Sequence, residues 1–187
     1  MRKVIAVLMM VVFVFIFYRS ILEKKPQAKP KKDIESTITS IEEQLEEDYP
    51  SNPIDVVEIH NELVNILYNK DLKDEEVERI IELQRSLYGR AFLDLNPLES
   101  HIVQTSREIF LNSEKEIKVI GSKVMNSYND PPGTMKVQVV HYTNKQDQDL
   151  AREYILEKEK MPESPDVEEW KIFGWENIGL EDTQEEE

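Results

Sequence analysis

The three histidines, His60, His101 and His141, are the side chains best suited to metal binding or to acid–base catalysis. They are scattered over two predicted helices and one predicted strand. None has a second histidine four residues away or a carboxylate at ligand spacing, so no metal site and no cofactor are expected. Each is predicted to be a solvated or core-edge side chain. His141 is the strongest candidate for a role, because it lies beside Tyr142 on a strand that could line a concave face.

Acidic residues are abundant enough to form chance pairs, and two carboxylates about 5–9.5 Å apart suffice for glycoside hydrolysis. Most of the 38 acidic residues are predicted to lie on polar helix faces or first turns, where they complement the helix dipole. Asp147 and Asp149 lack the other ligands of a calcium loop. The sequence also has no phosphate-binding glycine loop, no nucleophile elbow and no cysteine. A protein without enzymatic activity is therefore expected.

Aromatic residues of the C-terminal half suggest a binding surface instead. A strand period of two places Trp170 and Ile172 on one face of the predicted sheet, with Phe173 and Trp175 on the other. One apolar face must pack on the helices, and the second is then a pocket lining or a surface for another chain. Alternatively, a small curved sheet uses both faces for its own core. The candidate concave-face or interaction residues are Tyr128, His141, Tyr142, Tyr154, Trp170, Phe173 and Trp175.

Charge is divided unevenly along the chain. The formal net charge is −15 at pH 7, which argues against a nucleic-acid partner. Residues 1–32 are basic, and residues 33–187 carry 15 basic against 37 acidic residues, a formal charge of −22. The basic segment 24–32 contains two prolines and five lysines and no large apolar side chain, so it is predicted to be a tether. Its lysines either contact anionic lipid headgroups or serve only topology and solubility.

The N-terminus is predicted to be a membrane anchor. An uninterrupted apolar run covers residues 4–18, and continuation to residue 22 gives about the ~20 residues that span a bilayer. No small-residue cleavage site follows, which favours an uncleaved signal anchor over a cleaved signal peptide. The lysines after the run favour a cytoplasmic domain by the positive-inside rule. The short basic start and the absence of cysteine favour an extracytoplasmic domain, which is the orientation expected here.

The elements that must position these residues change type near residue 113. Asn-Pro pairs at 52–53 and 96–97 predict helices over 53–69 and from 96 to about 112. Acidic residues at 74–76 and a C-terminal cap at Gly89 predict a third helix between them. Isoleucines at 34, 38 and 41 allow a further short helix over 34–48. Alternating apolar and polar residues then predict strands, at 116–128, 134–143, 150–158 and 169–177.

Short connections between the strands predict an antiparallel meander, and the Val139-Val140 pair suggests a bulge. The fold class is therefore α+β, with about three helices packed on a curved four-stranded antiparallel sheet. The predicted organisation is an anchor at 1–23, a basic linker with the further short helix at 24–47, an α+β domain at 48–178 and an acidic disordered tail at 179–187.

Two stretches of sequence carry a resemblance. The run 169–176, Glu-Trp-Lys-Ile-Phe-Gly-Trp-Glu, resembles the last strand of cone-shaped NTF2-like domains. The helical half, with Asn52-Pro53, Leu87-Tyr88 and Asn96-Pro97, resembles a family of uncharacterised single-pass bacterial proteins, chiefly from Gram-positive gut bacteria. The resemblance covers residues 48–178 and implies an NTF2-like or cystatin-like fold behind a membrane anchor. It implies no reaction, because the polar Asp and His or Tyr kept inside many NTF2-like enzymes have no matching constellation here.

Three functions remain open at this stage. The expected one is a membrane-tethered, extracytoplasmic protein-binding or assembly module that acts, or self-associates, through the exposed sheet face. The alternative is a small-molecule binder or cryptic hydrolase or isomerase that uses His141, Tyr142 and a nearby carboxylate. A cytoplasm-facing anchor protein is the third.

Overall fold

The computed structural model describes residues 34–183 except 70, 132, 163 and 165. The predicted anchor at 1–23, the whole basic segment 24–32 and the last four residues of the acidic tail lie outside the described residues. Within the described part of the chain, no helix is both long enough and apolar enough to cross a membrane. Residues 38–183 belong to one compact unit.

Among the described residues, five α-helices precede a four-stranded antiparallel sheet in the order β1-β2-β3-β4, which confirms the predicted α+β class and the meander. Two short 3₁₀ turns, at Gln146–Gln148 and Leu180–Thr183, complete the described chain. The helices are α1 (Ile34–Glu47), α2 (Pro53–Asn69), α3 (Asp74–Ser86), α4 (Arg90–Leu95) and α5 (Leu98–Glu114), and the strands are β1 (Val119–Asp130), β2 (Thr134–Thr143), β3 (Leu150–Lys160) and β4 (Glu168–Ile178).

The helix boundaries follow local chemistry at some positions and not at others. Asn52 accepts a hydrogen bond from the backbone of Ile54 at 3.0 Å, so α2 begins at Pro53 as predicted. The second Asn-Pro pair behaves differently, because the Asn96 side chain donates back to the Phe92 carbonyl of α4 and α5 begins only at Leu98. Helix α4 was not predicted.

The core lies between the helices and one face of the sheet. Helix α2 contacts β1, β2 and β4, and its fully buried residues include Val56 and Leu63. On the sheet, Val137, Val139 and Tyr154 are fully buried, and strand pairing places them on one face. Helix α1 joins this unit through the buried side chains of its residues Ile38 and Ile41 and through an ion pair between Glu42 and Arg79 of α3.

The sheet contains three bulges, and none lies where the sequence suggested. Each bulge adds one residue opposite a regular partner strand, and the extra residues are Ile120 and Met125 in β1 and Phe173 in β4. The predicted bulge at Val139-Val140 is wrong, since β2 pairs with β3 without a break. Consecutive apolar residues occur there because β2 is buried on both faces, and the turn Leu180–Thr183 lies against the outer side of β2 and β3.

The bulge at Phe173 also corrects the predicted faces of β4. Ile172 pairs with Leu156, and Trp175 pairs with Tyr154. Leu156 and Tyr154 share the helix-facing side of β3, so Ile172 and Trp175 lie on the same face rather than on opposite ones. One extra residue therefore turns the partly buried Trp175 toward the helices, where it lines the smaller cavity.

A loop after α3 covers the free edge of β4. Ile172 donates to the Leu87 carbonyl at 2.8 Å, and Gly89 donates to the Ile172 carbonyl at 2.9 Å. The prediction that Gly89 caps α3 is wrong, because α3 ends at Ser86 with Leu87 as its cap. Glycine is required for close approach instead, since a Cβ atom at this position would lie 2.6 Å from the Phe173 ring. The edge strand is thereby protected from pairing with other chains.

Candidate functional site

The structure separates the seven predicted site residues into three groups. His141, Tyr154 and Trp175 point toward the helices, as their pairing positions on β2, β3 and β4 require. Tyr128 and Tyr142 lie on the opposite face and are about two-fifths exposed. Trp170 lies near the start of β4 beside Lys158, and Phe173 contacts the loop at Gly89.

His141 belongs to a chain of hydrogen bonds that runs from β3 to α2. Its Nε2 lies 3.3 Å from the Tyr154 hydroxyl, and its Nδ1 lies 2.8 Å from the Ser122 hydroxyl. Ser122 in turn donates to Asn65 Oδ1 at 3.0 Å. Because the Ser122 hydroxyl uses its proton in the bond to Asn65, its oxygen accepts a hydrogen bond from His141 Nδ1. His141 Nε2 then accepts from the Tyr154 hydroxyl. Burial lowers the pKa of His141 to about 3, with the nearby Arg152 charge as the second cause.

His60 lies at the centre of an aromatic cluster on the same face. Its ring centroid is 5.3 Å from that of Tyr154, 5.7 Å from Tyr88 and 5.8 Å from Trp175. His60 Nε2 is 2.9 Å from the Tyr88 hydroxyl, while Nδ1 is buried without a partner among the described residues. Burial, followed by the Arg152 charge, holds the pKa of His60 well below its usual value, so the ring is neutral at pH 7.

Two cavities lie between the helices and the sheet. The smaller has a volume of about 160 Å³ and the larger about 320 Å³. They share a wall formed by Val64 and Tyr68 of α2, Glu108 of α5 and Arg152 of β3. On the smaller side the lining adds His60, His101 and Trp175 with the amides of Gln84, Asn96 and Gln104. On the larger side it adds His141 and an aliphatic group made of Leu111, Ile117, Val119 and Leu150.

Arg152 is the unusual residue of this shared wall. Its guanidinium carbon lies 5.6 Å from the centroid of the Trp175 ring, and its Nε is buried without a hydrogen-bond partner. Among the described residues, no carboxylate lies within ion-pair distance of Arg152. A partly buried guanidinium that lacks a counter-charge is unfavourable, and such groups in native proteins call for an explanation.

The other charged groups near the cavities are held elsewhere or exposed. Tyr68 donates to Glu108 Oε2 at 2.6 Å, and Glu108 itself is exposed. Lys115 also lines the larger cavity. The lining of the larger cavity contains two cations, Arg152 and Lys115, and one anion, Glu108. It therefore has a formal charge of +1, although the domain as a whole is strongly acidic. The arrangement can therefore attract a small anion.

The outer face of the sheet carries a polar cluster that is satisfied internally. Glu153 accepts from Tyr128 at 2.6 Å and from Gln138 at 2.9 Å, and forms an ion pair with Lys136 at 3.0 Å. Hydrogen bonds from these three donors outweigh burial, and they lower the pKa of Glu153. Lys136 also pairs with Asp130 at 3.2 Å. These contacts pair the charged groups of the cluster with one another and so stabilise the outer face of the sheet.

The arrangement gives little support to hydrolysis. His141 and Tyr142, which the sequence grouped together, point to opposite faces because neighbouring residues alternate along a strand. Ser122 donates to Asn65 and so does not present its proton to His141. In the described part of the chain, no three histidine, aspartate or glutamate side chains are close enough to hold a metal ion.

Arg152 was not identified from the sequence, and His60, for which the sequence predicted a solvated or core-edge side chain, is fully buried. Arg152 shares its strand face with Leu150 and Tyr154, so strict alternation would have marked it as a cation pointing inward. His60 follows Val56 by four residues and precedes Leu63 by three, which places it on the apolar face of α2. The cavity wall at Tyr68 and Glu108 had no such signal, because it joins two helices that are distant in sequence.

A family model for a domain of unknown function, DUF6715, matches residues 1–175. The chain therefore belongs to this family, which confirms the expectation of an uncharacterised protein family. No curated protein matches the chain. No solved structure matches it.

Proposed function

We propose that this member of the DUF6715 family is a membrane-tethered domain that binds a small molecule between its helices and its sheet. The observation that carries the proposal is Arg152, which lies in the wall shared by two cavities and has no carboxylate partner among the described residues. Ligand pockets typically combine apolar walls with a few fixed polar groups, and both cavities have this composition. The neutral His60 and His141 rings add polar atoms without adding charge.

The tether and its orientation are part of the same proposal. An apolar run over residues 4–18 that continues to residue 22 supports a single-pass anchor. The short basic start and the absence of cysteine support a folded domain outside the cell. We further propose an NTF2-like or cystatin-like arrangement, supported by helices packed on one face of a bulged antiparallel sheet with cavities between the two layers.

Protease treatment of intact cells tests the orientation. A C-terminally tagged chain should lose its tag when protease is added outside, because the tag follows the translocated domain, while a cytoplasmic control protein stays intact. Protection of the tag under the same conditions would place the domain in the cytoplasm.

Small-molecule binding can be tested with a cavity-blocking variant. Val64 lines both cavities and is buried, whereas Val103 on α5 is 67% exposed. Fragments of mixed charge that bind the full chain in nanodiscs by saturation-transfer NMR should lose at least about tenfold in affinity in Val64→Phe, since the ring occupies the cavity space. The same substitution at Val103 should leave their binding unchanged.

A protein-binding or assembly role is the second candidate function. It is favoured by Val103 and Phe110, which are 67% and 59% exposed and lie two helical turns apart on α5. If no fragment binds, or if Val64→Phe and Val103→Phe bind fragments equally well, the cavity proposal fails and this second candidate gains support.

A further inference from the structure

We propose that the ligand of these cavities is a short aliphatic carboxylate, bound by its carboxylate group to the Arg152 guanidinium with its chain in the larger cavity. This inference rests on the proposed small-molecule function and names the chemical class of the ligand. A carboxylate is the natural partner of a guanidinium, because its two oxygens match the fork of N–H donors.

The position of Arg152 favours an anion that comes from outside the protein. Its side chain lines both cavities and has no ion-pair partner among the described residues, whereas Tyr68 in the same wall bonds to Glu108. The nearest acidic group in the cavity lining is thus engaged by a tyrosine and does not pair with the arginine. The guanidinium carbon of Arg152 also lies 5.6 Å from the centroid of the Trp175 ring, and the Arg152 side chain is a hydrogen-bond partner of Tyr154. A guanidinium held by these two contacts and lacking a carboxylate partner among the described residues offers a prepared binding group at little entropic cost.

The larger cavity fits the aliphatic part of such a ligand. Its apolar lining consists of aliphatic side chains from α5, β1 and β3 and from the segment between α5 and β1, namely Leu111, Val119, Leu150 and Ile117. The smaller cavity is lined by amides and aromatic rings instead. A cavity of ~150 Å³ is large enough for benzene. A volume of about 320 Å³ therefore accommodates a chain of hexanoate size with space remaining.

Electrostatics favour an anion over a neutral or cationic analogue. Lys115 and Glu108 of the larger lining are both exposed to solvent, where their opposite charges act weakly, whereas Arg152 is partly buried and dominates the charge of the cavity wall. Hydrogen bonds to charged groups are stronger than neutral ones. A primary alcohol of the same length would offer Arg152 one neutral acceptor and no counter-charge, and an amine would place two cations together.

Calorimetric titration of the full chain in zwitterionic nanodiscs tests the proposal with three matched probes: hexanoate, hexan-1-ol and hexylamine. Empty nanodiscs give the blank. Hexanoate should bind at least about tenfold more tightly than either analogue. Arg152→Met should lower hexanoate affinity to that of the alcohol, and Arg152→Lys should have an intermediate effect because it keeps the charge without the fork. The control Arg107→Met removes an exposed arginine of α5 and should change nothing.

The possible results separate this inference from the function on which it rests. If hexan-1-ol binds as tightly as hexanoate, or if Arg152→Met does not weaken hexanoate, the carboxylate assignment is wrong while cavity binding stands. If fragments bind in a Val64-dependent manner but hexanoate does not, the assignment is again wrong. If neither fragments nor the three probes bind, both proposals fail. The comparison of probes on the unsubstituted protein remains decisive even if Arg152→Met does not fold.

Discussion

Lowering the pH from 7 to 5 should destabilise the folded domain by about 4 kcal/mol, because two histidines are buried in their neutral forms. His60 and His141 are 1% and 2% exposed. Burial keeps the pKa of His60 well below 6.5 and lowers that of His141 to about 3. In the unfolded chain both rings bind protons near pH 6.5. The stabilisation is therefore complete above that pH and is lost as the pH falls toward the folded-state values.

Urea unfolding of the full chain in detergent micelles, followed by tryptophan fluorescence, measures this dependence. Both tryptophans lie in β4, so the signal reports on the sheet. His60→Gln should remove about half of the pH dependence, whereas His101→Gln, at a half-buried position, should remove less. Equal stability at pH 7 and pH 5 would show that the two rings are not buried in their neutral forms.

Replacing Lys171 by alanine should cost about 3–5 kcal/mol of folding free energy, because it breaks a buried ion pair from one side. The Lys171 side chain is 7% exposed and lies 2.7 Å from Glu169. It also donates to the Ser86 carbonyl at 2.8 Å and lies 4.0 Å from the centroid of the Tyr49 ring. The substitution leaves Glu169 partly buried without its cation.

This contact also matters for the cavities. Ser86 ends α3, and the loop that follows it carries Tyr88 to His60. Lys158→Ala is the matched control, since Lys158 is exposed and only approaches the Trp170 ring, at 5.5 Å. It should cost less than about 1 kcal/mol. Urea unfolding at pH 7 compares the two variants, and equal midpoints would contradict the structural role of Lys171.

Local patterns predicted most of the elements but not how they meet. The strand β2 has its predicted bounds, and α2 begins at Pro53 as expected, because alternation and N-capping are local properties. The bulge at Phe173 depends on pairing with β3, and the close approach of Gly89 depends on the Phe173 ring. Both contacts join distant segments, so no local signal marks them.

The candidate site was predictable only in part for the same reason. His141, Tyr154 and Trp175 were identified from the sequence, and the structure brings the first two into hydrogen-bond distance and sets Trp175 against Tyr154. Strand alternation also indicates that Arg152 points toward the helices, because it lies two residues before Tyr154. No sequence pattern indicates the cavities, because their size depends on the spacing between α2, α5 and the sheet.

The most direct test of carboxylate binding in these cavities follows the NMR signals of the Arg152 guanidinium N–H groups, recorded on the full chain with increasing hexanoate and assigned through Arg152→Lys. The Arg152 side chain lines both cavities and is only partly buried. Saturable hexanoate binding should move an Arg152 Nη–H signal downfield while the Arg107 signals stay in place, because a carboxylate accepts a proton from the guanidinium. An unchanged Arg152 signal at a hexanoate concentration that saturates the protein by calorimetry would contradict the account.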